Sequence, residues 1–272
     1  MIELADPEAV ERVKTLFLSD IHLGTRGCQA EQLLDLLKHY DAETIFLVGD
    51  IIDGWRLKSV WHWPALHNVV LQKLLRKVRK GTRIVYVPGN HDEFMRDYVG
   101  ENFGGIEIAS EVIHTLVDGR NALILHGDKF DTVVRNIKWL AHLGDWAYEF
   151  AMFINRYLNV IRRMFGMSYW SFSAASKAMV KQAVSFIGAF EDAVVADAER
   201  QGAQVVVCGH IHHATMRQVG SVLYTNCGDW VESRTAILEH LDGRLELIRW
   251  DELANRAEHI RPAISNELQP AA

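Results

Sequence analysis

Seven side chains that bind metal ions well recur at matched places along this chain. Asp20 and His22 lie in "SDIHLG", Asp50 in "GDIIDG", Asn90 in "PGNHDE", His126 in "HGD", and His210 and His212 in "CGHIHH". Carboxylate, amide and imidazole donors together suit Mn²⁺, Fe or Zn²⁺ and disfavour Ca²⁺, which takes oxygen shells. The pairs Asp20/His22 and His210/His212 are each two residues apart, and in an extended segment such positions point the same way. His213 alternates to the other side and reads as a rim residue. Seven ligands exceed what one catalytic ion with an open position can use. They fit two divalent ions that share one carboxylate. Each piece is weak or moderate alone, because Asn and Asp are ordinary turn residues. The joint occurrence carries the argument.

The elements that must position these groups are legible as apolar runs. "TLFLSD" (15–20), "TIFLVGD" (44–50), "RIVYVPGN" (83–90), "NALILHGD" (121–128), "QVVVCGH" (204–210) and "VLYTNCGD" (222–229) read as strands buried on both faces. A candidate ligand closes most of them, and open α/β sheets place their sites at the C-terminal ends of strands. Between the runs, 30–40 and 64–80 repeat apolar residues at helical spacing, with Pro64 suited to a helix start and Gly81 to a stop. The alternation predicts an α/β domain. The runs 234–241 and 244–250 flank Asp242–Gly243, a hairpin dipeptide, so the sheet should be mixed.

The stretch 132–202 contains no strand-like run. We expect an inserted helical cap there, a core over 1–131 and 203–261, and a loose tail over 262–272. Charged residues interrupt the cap's apolar run, which argues against a membrane span. A net charge of −6 gives no footprint for duplex nucleic acid. The N-terminus has no apolar leader segment, and Cys28, Cys208 and Cys227 form no paired framework. Both features point to the cytoplasm, with Cys208 and Cys227 as buried small hydrophobes.

The ordered set D-x-H, G-D-x-x-D, G-N-H-D, a strand-end His and G-H-x-H resembles the calcineurin-like metallophosphoesterases, over roughly Thr15 to Trp250. The resemblance implies an α/β fold of two mixed β-sheets packed as a sandwich flanked by helices, here with an inserted helical cap. It implies Asp20, His22 and His212 on one metal, Asn90, His126 and His210 on the other, and Asp50 bridging them. His91 is then the non-ligand histidine beside the scissile phosphate, oriented by Asp92, with Asp53 in the surrounding shell. Two cations would clamp the attacking and leaving oxygens and supply hydroxide at neutral pH.

The cap combines aromatic residues (Trp139, Trp146, Phe150 and others) with cations, and Lys177 and Lys181 share one helical face able to hold a phosphate. Such a lid beside a dimetal centre suits an amphiphile with an anionic head. "GDIIDGW" and "LILHGDKFD", followed by a helical lid, resemble the UDP-2,3-diacylglucosamine pyrophosphatases of lipid A synthesis. That resemblance implies Mn²⁺, release of UMP and a lipid phosphate, peripheral contact with the cytoplasmic face of the inner membrane through the cap, and Asp53, Asp128, Lys177 and Lys181 as substrate contacts. One position departs: those enzymes commonly carry Arg where this chain has His91. A phosphatase or phosphodiesterase of a soluble metabolite, its cap serving as a dimer interface or shape filter, therefore stays as the second reading. A non-catalytic binding scaffold is the third.

Overall fold

The computed structural model describes residues 10–131 and 173–251, without the side chains of 173–183. The chain divides into two compact units, Met1–Asp128 with Asp197–Ala272, and Lys129–Ala196. The cap aromatics before residue 173, the side chains of Lys177 and Lys181, and the tail over 262–272 lie outside the described residues. The C-terminal helix of the cap is described from Ser173 and runs to Arg200.

The first unit carries both sheets. Strands β1 (Glu11–Leu18), β2 (Tyr40–Val48) and β3 (Arg83–Val87) run parallel. Their sheet is extended by β4 (Asn102–Phe103), β5 (Ile106–Ile108), β11 (Thr235–Glu239) and β12 (Leu245–Arg249), in the order β12-β11-β1-β2-β3-β5-β4. The second sheet is made of β6 (Val112–Thr115), β7 (Asn121–Ile124), β8 (Val205–Cys208), β9 (Thr215–Val219) and β10 (Val222–Asn226), in the order β6-β7-β8-β10-β9. Here β7, β8 and β10 are parallel, while β6 and β9 are antiparallel edges. Both sheets are thus mixed, and β11 and β12 form the hairpin that Asp242–Gly243 predicts.

Alternation along the strands builds two layers of core. Phe17, Phe46, Val48, Val85 and Val87 of the first sheet meet Ala122, Ile124, Val205 and Val207 of the second. The Phe17 and Phe46 rings stack with centroids 5.4 Å apart. Leu16, Leu18, Ile45, Leu47 and Ile84 point to the other face and join Leu33 and Leu37 of α1 (Ala30–His39) and Val70 and Leu74 of α3 (Ala65–Arg79). Each such side chain contributes about 1.5–3 kcal/mol on burial. Helix α3 starts after Pro64 and stops at Gly81, whose φ of +101° a residue with a Cβ rarely adopts. At the edge of the sandwich remote from the strand ends that carry the ligands, Glu239 is fully buried between the sheets. Its carboxylate accepts the Val117 N–H at 2.7 Å and the Thr15 hydroxyl at 2.5 Å, and lies 3.7 Å from His114 Nε2.

Short edge strands (β4, β5, β6, β9) escape a reading based on continuous apolar runs. They are two to five residues long and partly exposed. Pairing with a neighbour, rather than an apolar pattern of their own, makes them strands.

Candidate metal centre

Five parallel strands deliver the candidate ligands just past their C-terminal ends: Asp20 after β1, Asp50 after β2, Asn90 after β3, His126 after β7 and His210 after β8. The chain must turn sharply there. Asp20, His22, Asp50, His210 and His212 all have φ between +52° and +72°, and Arg234 is the one other non-glycine with positive φ among the described residues. Left-handed backbone at a non-glycine residue is costly and gathers at functional sites. It also corrects the expected geometry. Asp20 and His22, like His210 and His212, share a side through alternate left-handed residues, and not through an extended pleat.

Three sets of ligand atoms lie within 4.8 Å of one another: Asp20, His22 and His212; His22, Asp50 and His91; and Asp50, His126 and His210. The first and third sets match the two metal groups implied by the motifs. Asp50 belongs to the second and third sets and His22 to the first and second, so the three sets form one continuous cluster. Asp20 Oδ1 is 3.1 Å from His212 Nε2 and 3.9 Å from His22 Nε2, and these two nitrogens are themselves 3.4 Å apart. Asp50 Oδ2 is 3.3 Å from His126 Nε2 and 4.0 Å from His91 Nε2. His213 is exposed at the rim.

The surrounding hydrogen bonds leave selected atoms open. Asp20 Oδ2 accepts the His210 N–H at 2.9 Å, and Asp50 Oδ1 accepts the His91 N–H at 2.8 Å, so each carboxylate keeps one oxygen for the cluster. The Val48 carbonyl lies 3.0 Å from His126 Nδ1, and Asp53 Oδ2 lies 3.1 Å from His22 Nδ1. Those partners place the ring proton on Nδ1 and turn Nε2 inward, the arrangement of metal-binding imidazoles. Asp20 Oδ1, Asn90 Oδ1 and His126 Nε2 are buried without a hydrogen bond, although oxygens and nitrogens crowd together there. Buried polar atoms without partners are costly, and convergent ones fit a cation.

Charge points the same way. Burial resists ionisation of Asp20 and Asp50, yet the neighbouring imidazoles, His212 first for Asp20 and His126 first for Asp50, hold both carboxyls below their ordinary range. Burial likewise resists a charge on His126, but Asp50, with Asp20 and Asp128, pushes its pKa up to about 10. The cluster calls for positive charge. A divalent cation supplies it more fully than a proton does.

The motif glycines follow from this crowding. A Cβ on Gly89 would collide with the Asp50 carboxylate, and one on Gly209 with Ser19 and Asp20. Only glycine lets these strand ends approach so closely.

His91 stands beside the cluster with its Nε2 facing Asp50. The carboxylate nearest its Nδ1 is not that of Asp92. Asp53 Oδ2 lies 3.1 Å from His91 Nδ1, whereas Asp92 turns inward. Asp92 accepts the backbone N–H groups of Gly89 (2.6 Å) and Ile51 (2.8 Å) and the Tyr86 hydroxyl, which uses up its oxygens. Asp92 thus clamps the Asp50 loop to the Asn90 loop. Asp53 also caps α2 (Gly54–Ser59), accepting the Arg56 N–H at 2.7 Å through Oδ1. That bond fixes the carboxylate and places Oδ2 between two imidazoles, so Asp53 is committed to them and does not stand open as a substrate contact. Asp128 is taken up by Arg96 at 2.6 Å, so it too is no free substrate contact. Burial lowers the tendency of His91 to charge, but Asp53, Asp50 and Asp20 raise its pKa above the ordinary imidazole value. The Trp55 ring, half exposed, covers His91 at 4.4 Å between centroids. Motif spacing does not reveal Trp55. Its position directly after "GDIIDG" is the one available clue.

A model of the family described as calcineurin-like phosphoesterase matches residues 13–214. The chain belongs to that family. It is a metal-dependent hydrolase of phosphoester bonds. Among curated relatives, this phosphoesterase is 27% identical over 256 residues to a UDP-2,3-diacylglucosamine hydrolase of Cellvibrio japonicus, covering 88% of this chain and all of that one. It is 24% identical over 211 residues to a protein of the same name from Salmonella agona, covering 75% and 84%. Among solved structures it is similar to a phosphoesterase from E. coli, at TM-score 0.45 and 17% identity over 88% of this chain and 93% of that one. Among the described residues, no helix is long and apolar enough to cross a membrane.

Proposed function

We propose that this phosphoesterase hydrolyses the pyrophosphate bond of UDP-2,3-diacylglucosamine, or of a closely similar lipid-linked nucleotide, to UMP and a lipid phosphate. The reading is supported by the name shared by relatives that align along most of their length. It rests above all on the convergence of Asp20, His22, Asp50, His126, His210 and His212 into overlapping clusters. In this reading Asp20, His22 and His212 hold one divalent ion, and Asn90, His126 and His210 hold the other. Asp50 is shared. The donor set suits Mn²⁺, with Fe or Zn²⁺ as substitutes. Such ions supply Lewis acidity and a hydroxide nucleophile at neutral pH.

The chain's own groups do the rest. His91, whose acidic neighbours favour its protonated form, presents Nε2 to the phosphate oxygen that departs and delivers a proton to it. Asp53 faces that ring, with Oδ2 3.1 Å from Nδ1. Trp55 covers one face of the imidazole and keeps bulk water from it. The cap, with Lys177 and Lys181, is assigned to the acyl chains and the phosphates, and to contact with the cytoplasmic face of the membrane. The presence of His91 in place of Arg favours a second reading, hydrolysis of a soluble phosphodiester.

The deciding assay compares UDP-2,3-diacylglucosamine in mixed micelles with bis-p-nitrophenyl phosphate, both with Mn²⁺. Release of UMP at a kcat/KM far above that for the aryl ester is expected. Turnover of the aryl ester with no release of UMP would transfer the assignment to the soluble substrate.

A further inference from the structure

At the opposite end of the first sheet from the metal centre, β1, α1, β2 and α3 line a hollow of about 990 Å³. Arg12 comes from β1, Lys38 from α1, and Lys73, Arg76, Lys77 and Lys80 from α3 and its C-terminus. Arg12 precedes Asp20 by eight residues of mostly extended chain, which separates the hollow from the cluster by roughly 25 Å.

The hollow holds two acids, and both are already matched. Glu43 pairs with Lys14 at 2.7 Å, and Asp41 lies 3.5 Å from Lys77, whose ammonium also donates to the Tyr40 carbonyl at 2.8 Å. Arg12, Lys38, Lys73, Arg76 and Lys80 have no ion pair among the described residues. Several cations elsewhere are paired. Arg83 pairs with Glu107, Arg96 with Asp128, Arg120 with Asp118, and Arg244 with Glu246. Arg26, Arg56, Lys58, Arg79 and Arg249 are also without an ion pair among the described residues, but in a chain of net charge −6 it is the gathering of five such cations around one concavity that matters. The helix dipole accounts for cations in the last turn of α3, but not for Arg12 and Lys38, which belong to other elements. Burial, and then the mutual repulsion of Lys77, Lys80, Arg76 and Lys38, lowers the pKa of Lys73. An anion relieves such crowding.

We propose that this hollow is a second, non-catalytic site that takes a ligand bearing clustered phosphate groups. Five unmatched cations exceed what a single phosphate neutralises, so the fit is to two or more phosphates held together. Arg12 and Arg76 offer forked donors to phosphate oxygens, and the lysines act as point charges around them. The site is independent of the substrate assigned to the metal centre.

The test titrates tripolyphosphate into the full-length, Mn²⁺-loaded protein by calorimetry, and separately pellets the protein with vesicles of phosphatidylglycerol or of phosphatidylcholine. The double variant Lys73→Gln, Arg76→Gln is expected to weaken binding by about tenfold or more while hydrolysis of bis-p-nitrophenyl phosphate is unchanged. The single variant Lys38→Gln, on a different helix, should weaken it in the same direction. Asp50→Asn should leave this binding intact, which separates it from phosphate held at the metal centre. Substitution-sensitive binding of tripolyphosphate marks a soluble ligand. Substitution-sensitive pelleting with phosphatidylglycerol alone marks a lipid headgroup as the source of the phosphates. Binding of neither, binding that the cation variants keep in full, or binding lost with Asp50→Asn overturns the proposal.

Discussion

Asp53 places one carboxylate oxygen 3.1 Å from His91 Nδ1. The same oxygen lies 3.1 Å from His22 Nδ1, so a single atom faces both a proposed ligand and the proposed proton donor. The other oxygen is spent on capping α2.

Asp53→Asn should therefore lower kcat by about 10–100-fold with a much smaller change in KM, as expected when the partner of a catalytic or ligating imidazole is lost. Asp92→Asn should behave oppositely. It disturbs the acceptor of the Gly89 and Ile51 N–H groups and should lower the unfolding free energy by about 1–3 kcal/mol. Steady-state kinetics and urea titration on both variants separate the two roles. If Asp92→Asn alone slowed turnover, the assignment of Asp53 would fail.

Removal of ligands gives the second expectation. Asp50→Asn and His210→Ala should each reduce Mn²⁺-dependent hydrolysis of bis-p-nitrophenyl phosphate to background. Metal content by elemental analysis should fall below two ions per chain, with the far-ultraviolet circular dichroism unchanged. A folded variant with full turnover would remove the two-ion arrangement.

The glycines next to the ligands make a steric prediction. Gly89→Ala drives a Cβ against Asp50. Overpacking of this kind costs about 1–3 kcal/mol, and here it also displaces the shared carboxylate. Loss of metal affinity is expected together with the loss of stability, measured by chelator competition and urea unfolding. Gly188→Ala, where φ is not positive, as at Gly89, and nothing lies near the added carbon, is the reference for adding a methyl group without a clash.

Glu239 sets an acid limit on stability. Burial raises its pKa, but His114, the Thr15 hydroxyl and the Val117 N–H together bring it below the ordinary glutamate value. A carboxyl with a folded pKa below its unfolded one stabilises the fold fully above the unfolded value. That contribution disappears as the pH falls through the folded value. Unfolding free energy should thus decline from about pH 5 downward. Glu239→Gln should flatten this slope and cost about 1–3 kcal/mol near neutrality. A variant with the parent's acid slope would show that other carboxylates govern it.

The sequence makes the ligands legible because each sits in a short motif at the end of an apolar strand, and parallel strands bring such ends together. Asp50 and His126 come from different sheets, yet both follow runs whose burial on two faces is plain from Val, Ile and Leu content. Orientation is what spacing does not convey. Asp92 adjoins His91 in sequence, but the turn sends the two side chains to opposite sides, and Asp53, thirty-eight residues earlier, fills the role. The left-handed backbone at Asp20 and His22 is also invisible to a pattern reading, because no glycine occupies those positions. The basic hollow is legible only after folding, since Arg12, Lys38 and Lys73 are far apart along the chain.

Asp20, His22, Asp50 and Asn90 follow strands of one sheet, while His126, His210 and His212 follow strands of the other. Ions held between these groups would act as rivets across the seam of the sandwich. Loading would then tighten the hinge line along which the layers part on unfolding, and a chelator would loosen the whole body along with its chemistry.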